Sequence, residues 1–239
     1  KTEVAVRAAF KAVMNGRQVA ILVPTTILAE QHFNTFIDRM GRYGVRLAVL
    51  SRFRSPKEQK QIIASLQNGS MDVVIGTHRL LSKDVQFRNL GLLVIDEEHR
   101  FGVTAKEKLR QLRATVDTLT LTATPIPRTL QFSLMGARDL SLIGTPPRNR
   151  LPIVTEIVQE EPRIVREAVV RELHRGGQVF VIHDRIHDID LMAARLKERI
   201  PEARFRTAHG QMKGHELETV MMEFLEKKFD VLICTKIIE

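Results

Sequence analysis

The sequence predicts an α/β chain of two tandem lobes, each built around a parallel sheet, with the second lobe truncated. Three observations carry that prediction. Short aliphatic runs alternate with segments of helical periodicity along the whole chain. One of these runs, Leu92-Leu93-Val94-Ile95, is unbroken and ends in Asp96-Glu97-Glu98-His99. A continuous aliphatic strand is buried on both faces, as in a parallel sheet. Last, Thr145-Pro146-Pro147-Arg148-Asn149-Arg150-Leu151-Pro152 interrupts the alternation with three prolines in eight residues. Such a segment continues neither a helix nor a central strand and reads as a linker or hinge. The expected domains are therefore residues 1–147 and 148–239.

Taken in order, Lys1-Thr2 opens a helix whose apolar face is Val4, Ala5, Ala8, Ala9, Ala12 and Val13, closed by Gly16. Strands are expected at 19–23, 47–50, 72–75, 92–95, 118–121 and 140–143. Helices are expected between them at 27–42, 56–68, 105–112 and 127–135. Ser55 is placed to cap the helix at 56–68, with Pro56 in its first turn. After the proline-rich break, helices are expected at 162–175, 187–199 and 215–227. Strands are expected at 179–182, 205–208 and 231–234. The two halves read as two copies of one architecture, the second stopping at Ile237-Ile238-Glu239. No short-period repeat or low-complexity tract is present.

The 239 residues suffice for a sizeable core, and 44% hydrophobic with 27% charged content is that of an ordinary globular protein. No apolar stretch approaches the roughly 20 residues that span a bilayer. The chain has no initiating Met and begins inside a motif, so it is expected to be an excised fragment, and a missing signal peptide says little about location. The single Cys234 is expected to be an inert core residue; one cysteine forms no internal disulfide, which suits a reducing cytoplasm. The net charge of +9 is uneven. Residues 1–147 carry 21 Lys/Arg against 12 Asp/Glu, whereas residues 148–239 carry 16 of each. A basic surplus confined to one half points to a polyanion there, nucleic acid first, although charge alone does not separate DNA from RNA.

Several constellations bear on chemistry. Adjacent carboxylates at the end of a strand repel one another unless a cation such as Mg²⁺ neutralises them, and ligands of open α/β sheets sit at that edge. By itself Asp96-Glu97 also fits a solvated acidic turn. A Lys-Thr pair opening a helix is the last part of a phosphate-binding loop, in which Lys reaches the β- and γ-phosphates and the Thr hydroxyl holds Mg²⁺. Thr120-Leu121-Thr122-Ala123-Thr124-Pro125-Ile126-Pro127-Arg128-Thr129 sets small hydroxyl residues at a strand end, where they can relay a hydrogen bond from an acidic site. Pro24-Thr25-Thr26 and Gly76-Thr77-His78 each follow an aliphatic strand and suit either phosphate-backbone contact or helix capping. Ser51-Arg52-Phe53-Arg54 adds two cations beside an aromatic ring. His209-Gly210-Gln211-Met212 follows the strand at 205–208, with Gly210 suited to a tight turn that leaves Gln211 free to reach a ligand. His183, Asp184, His187 and Asp188 lack metal-ligand spacing and read as a polar loop.

These strings, in this order, resemble the two-domain motor of superfamily 2 helicases and translocases. The matching segments are Lys1-Thr2, Pro24-Thr25-Thr26, Gly76-Thr77-His78, Asp96 to His99, Thr122 to Thr129, His209 to Met212, and Cys234 to Glu239. Arg100-Phe101-Gly102 after the acidic box, together with Thr122-Ala123-Thr124-Pro125-Ile126-Pro127-Arg128-Thr129, is similar to the RecG-like branch. Ser51 to Ser55 and Leu140 to Pro147 narrow the likeness to members of that branch that act on stalled RNA polymerase.

The resemblance implies two tandem RecA-like, P-loop NTPase domains and an ATP- and Mg²⁺-dependent motor on double-stranded DNA. RNA polymerase and nucleotide-excision-repair proteins are implied as partners through segments beyond this chain, with a cytoplasmic location and no membrane. Lys1 would bind the ATP phosphates, Thr2 and Asp96 would hold Mg²⁺, and Glu97 would position or deprotonate the attacking water. His99, Thr122 and Thr124 would couple nucleotide state to domain closure. Thr25, Thr26, Arg52, Thr77, His78 and Gln211 would grip the DNA backbone. The glycine-rich turn before Lys1 and the late arginine-finger motif are not in the sequence. The 239 residues alone are accordingly expected to hydrolyse almost no ATP, since such a finger is worth about 10³–10⁵ in rate. A RecG-type motor on branched DNA, an RNA-dependent motor, and a binding scaffold without hydrolysis are the alternatives. The Asp96-Glu97 pair argues against the last.

Overall fold

The computed structural model describes residues 1–52, 54–113, 115–123, 139–145, 152–159 and 161–236. The chain divides into two compact units, Lys1–Arg148 and Asn149–Glu239. In the first, α1 (Thr2–Met14), β1 (Gln18–Leu22), α2 (Thr26–Met40), β2 (Leu47–Leu50), α3 (Pro56–Asn68), β3 (Val73–Gly76), β4 (Leu90–Asp96), α4 (Val103–Arg113) and β5 (Asp117–Leu121) follow one another. The five strands form one parallel sheet in the order β2-β3-β1-β4-β5.

Alternation along each strand explains why these segments are apolar at every position. Val19, Ile21, Val49, Val73, Ile75 and Val94 face a core shared with Ala5, Val6 and Ala9 of α1 and Ala29, Phe36 and Met40 of α2. Their neighbours Ala20, Leu22, Leu50, Val74, Leu93 and Ile95 face Ile63 and Leu66 of α3 and Leu109 of α4. A strand covered on both faces has no polar side to show, and each fully buried aliphatic side chain contributes about 1.5–3 kcal/mol. Ser55 closes the expected cap as a reciprocal box: its hydroxyl accepts from the Glu58 N–H at 3.3 Å, and its own N–H donates to Glu58 Oε2 at 2.7 Å.

The second unit contains α5 (Pro162–His174), β6 (Val179–Ile182), α6 (Ile189–Arg199), β7 (Phe205–Ala208), α7 (Gly214–Leu225) and β8 (Val231–Cys234). Its three parallel strands run in the order β6-β8-β7. Phe205, Val231 and Ile233 pack toward Val169 of α5 and Ile189, Ala193 and Leu196 of α6, while Leu232 and Cys234 pack toward Val220 and Phe224 of α7. Cys234 is fully buried, and burial pushes its thiol pKa up.

The two units repeat one polar device at the amino ends of their strands. Arg46, just before β2, pairs in a fork with Asp72, just before β3, at 2.7 and 3.0 Å, and Asp72 also accepts the Arg46 N–H. Arg204, just before β7, does the same with Asp230, just before β8, at 2.8 and 2.9 Å. The amide of Gln18 donates to the Leu66 and Met71 carbonyls, and that of Gln178 to the Phe224 and Phe229 carbonyls.

The strand at 140–143 is not formed: residues 139–145 have no regular structure, and Leu140, Leu142 and Ile143 are exposed. Strand propensity is largely the fit of a side chain to a pleated, half-buried surface, and this run has no such surface among the described residues. The helix at 127–135 lies outside the described residues, as does most of the proline-rich break. The helix at 187–199 begins as a 3₁₀ turn, Ile186–Asp188, before α6. No helix among the described residues is long and apolar enough to cross a membrane.

Candidate active site

All strands of a parallel sheet deliver their carboxyl ends to one edge, and the register pairs Leu22 with both Gly76 and Ile95, and Leu50 with Gly76. The residues just after β1, β2, β3 and β4 therefore share that edge. Asp96 is the last residue of β4 and is buried. The chain then turns at once, with Glu97 in the left-handed region at φ 51° and ψ 52°. The Glu97 N–H donates to the Leu121 carbonyl at the end of β5 at 2.9 Å, and its carbonyl accepts from Arg100 N–H at 2.9 Å.

Five groups converge on the two carboxylates. The Lys1 ammonium, at the start of α1, donates to Asp96 Oδ1 at 3.1 Å and to Glu97 Oε1. Thr122 Oγ1 donates to Glu97 Oε2 at 3.2 Å, and the Ala123 N–H to Glu97 Oε1 at 3.2 Å. His99 Nδ1 lies 3.5 Å from Glu97 Oε2. His32 Nε2, from α2, lies 3.1 Å from the second Asp96 oxygen, Oδ2. Burial opposes charge on Asp96, but the hydrogen bonds from His32 and Lys1 outweigh it and hold the carboxyl below the usual carboxylate range. Burial likewise opposes charge on Lys1, and the hydrogen bonds to Glu97 and Asp96 outweigh it and hold the ammonium above its ordinary value.

This donor set fits a magnesium triphosphate. A hard cation in a phosphate site takes one or two protein oxygens and completes its shell from phosphates and water. Among the described residues no three His, Cys, Asp or Glu side chains form a metal cage, whereas the Asp96 carboxylate and the hydroxyl of Thr2, beside Lys1, are the oxygen types such an ion takes. The Lys1 ammonium already sits where negative charge accumulates.

Of the residues singled out from sequence, Lys1, Asp96, Glu97, His99 and Thr122 are brought together here, and Thr2 adjoins them. Thr124 lies outside the described residues. Thr25 is exposed and caps α2, its hydroxyl accepting from the Leu28 N–H at 3.3 Å. Thr26 and Thr77 are buried, while Arg52 and His78 are exposed at the same sheet edge. Gln211 is exposed in the second unit, in the turn between β7 and α7. His32 escaped the sequence reading. Its signal is an imidazole at helical spacing from Ala29, Phe36 and Met40 on the buried stripe of α2.

The sequence matches the DEAD/DEAH box helicase family over residues 1–132 and the helicase conserved C-terminal domain over residues 160–239. Over its full length it is 57% identical to the transcription-repair-coupling factor of Bacillus subtilis and 55% identical to that of Escherichia coli, of which it covers 20% and 21%. The chain thus spans about a fifth of the length of these curated relatives. Among solved structures, RecG bound to a three-way DNA junction superposes with a TM-score of 0.75 at 36% identity, covering 99% of this chain and 32% of that one. Saccharomyces cerevisiae Dbp5 bound to RNA and ADP BeF3 gives a TM-score of 0.56 at 18% identity over 93% of this chain and 58% of that one, a likeness of fold alone.

Proposed function

The chain belongs to the DEAD/DEAH box helicase family, and from that premise we propose that it is the ATP-hydrolysing core of a transcription-repair-coupling motor that moves on double-stranded DNA. The observation that carries this reading is the convergence of Lys1, Thr122 and the Ala123 N–H on Asp96 and Glu97 at the carboxyl edge of the first sheet. The 53–57% identity to transcription-repair-coupling factors supports the choice within the family.

When bound, ATP supplies the phosphoryl group that passes to water, and Mg²⁺ offsets the charge of its phosphates. The chain's own residues do the rest. Lys1 exchanges its carboxylate partners for the β- and γ-phosphate oxygens. Thr2 and Asp96 would hold the metal. Glu97, freed from Lys1 but still oriented by Thr122 and the Ala123 N–H, accepts the proton of the attacking water. His99, Thr122 and Thr124 relay the change at Glu97 to the DNA-gripping edge, where Thr25, Arg52 and His78 offer side chains and the buried Thr26 and Thr77 can offer backbone N–H groups to phosphates. Gln211 adds a contact from the second unit. The division into domains 1–147 and 148–239 belongs to the same reading, as do displacement of a stalled RNA polymerase and recruitment of excision-repair proteins by other parts of the polypeptide.

In the full-length polypeptide, Glu97→Gln is expected to cut DNA-stimulated ATPase by about 10²–10⁴-fold, the usual worth of a general base, while retaining nucleotide binding. Unchanged turnover would remove Glu97 from the mechanism. The likeness to RecG favours a second reading, a motor on branched DNA. Strand-displacement assays separate the two, since the first reading expects movement along duplex DNA without unwinding.

A further inference from the structure

His32 occupies the face of α2 that points at the sheet, with Ala29, Phe36 and Met40, and is itself buried. An apolar residue of similar size would serve the packing there, and a polar ring on such a stripe costs desolvation unless it is paired. Its Nε2 is paired, 3.1 Å from Asp96 Oδ2. A carboxylate only accepts, so Nε2 carries the hydrogen of this contact. Nδ1 is buried without a hydrogen-bond partner among the described residues. The polar attachment of the ring therefore runs to Asp96, while the Phe36 ring, 6.3 Å away between centroids, flanks it. The two oxygens of Asp96 are divided: Oδ2 goes to His32 of α2 and Oδ1 to Lys1, which in the proposed function meets the phosphates.

We propose that His32 is a positioning residue for the nucleotide-bound magnesium. Its Nε2–H clamps Asp96 Oδ2 and so fixes the rotation of the carboxylate, turning Oδ1 toward the metal. A terminal carboxylate torsion is otherwise broad, and partners that orient a metal ligand are typically worth 10–100-fold in affinity. The inference deepens the proposed function and rests on the reading of Asp96 as a magnesium ligand.

The test measures binding of a fluorescent ATP analogue to the full-length polypeptide, titrated with Mg²⁺ and repeated in chelator. His32→Gln sets an amide N–H near the place of Nε2, whereas the shorter amide of His32→Asn ends near the place of Nδ1 and falls short of Asp96. H32N is expected to raise the Mg²⁺ concentration for half-maximal nucleotide binding by about 10–100-fold, with metal-free binding unchanged and H32Q recovering most of the loss. Should H32N fail to fold by circular dichroism, H32L takes its place in the comparison. Wild-type Mg²⁺ dependence in H32N, an equal loss in H32Q, or a matching loss of metal-free binding overturns the inference. Asp96→Asn separates the levels. If D96N keeps the wild-type Mg²⁺ dependence, the reading of Asp96 fails; if D96N loses it and H32N does not, only the role of His32 falls.

Discussion

Glu97 holds a backbone conformation that costs a non-glycine residue about 1–2 kcal/mol, and it does so at the residue given the chemical step. The Leu121 carbonyl and the Arg100 N–H maintain that turn, and through it the carboxylate reaches Lys1, Thr122 and Ala123. Strain kept at a reacting group by its surroundings is a form of preorganisation. The charges beside it set a pH window. Asp96 is held below its ordinary value, so its contribution to stability is present above that value and is lost as pH falls through the lower folded one. Lys1 is held above its ordinary value, so its contribution is present below that value and is lost as pH rises through the higher folded one. The cluster should therefore stabilise the first unit between about pH 4 and pH 10. Urea unfolding of Asp96→Asn is expected to depend less steeply on pH below about 4 than the wild type; parallel curves would contradict this.

At the scale of elements, β3 controls how the sheet edge is presented. Its last residue, Gly76, precedes Thr77 and His78, and a Cβ there would stand 2.3 Å from the Leu50 carbonyl oxygen and 2.9 Å from Leu80 Cγ. Gly76 is needed for this close approach of β2, not for an unusual φ. Gly76→Ala must displace β2 or the 3₁₀ turn His78–Leu81. The expected cost is about 1–3 kcal/mol, as for other overpacked cores, measurable as a lower urea midpoint. Weakened DNA binding should accompany it if Thr77 and His78 contact the backbone. Unaltered stability would show that the two strands can separate freely at this point.

Across the whole molecule, the forks Arg46–Asp72 and Arg204–Asp230 mark the same topological place in two sheets, since β1, β2 and β3 correspond to β6, β7 and β8. In Asp72 burial opposes the charge and the hydrogen bonds from Arg46 outweigh it; in Asp230 the hydrogen bond from Arg204 is the leading cause. Both carboxyls are held below the usual range. Each fork joins two strand starts of one unit only, so each should stabilise its own unit and leave the other untouched. In scanning calorimetry Asp72→Asn is expected to lower the transition of the first unit and Asp230→Asn that of the second, with the double variant showing the sum. Coupled shifts from a single substitution would mean that the units unfold together.

Strands such as Leu47–Leu50 and Val231–Cys234, the helix Pro56–Asn68 with its Ser55 cap, and the candidacy of Lys1, Asp96 and Glu97 were legible in the chain alone, because each is written in local periodicity or in residue types a few positions apart. The repeat of architecture was legible for the same reason. Only the tertiary structure decided that Lys1 and Asp96, 95 positions apart, stand 3.1 Å from one another, that His32 completes the grip on Asp96, and that Thr26 and Thr77 are buried while Arg52 and His78 are exposed. It also left Leu140 to Ile143 out of the sheet despite their apolar pattern. Periodicity records which face of an element avoids water. Which element covers that face, and which polar atom waits behind it, depends on distances between segments that no local pattern contains.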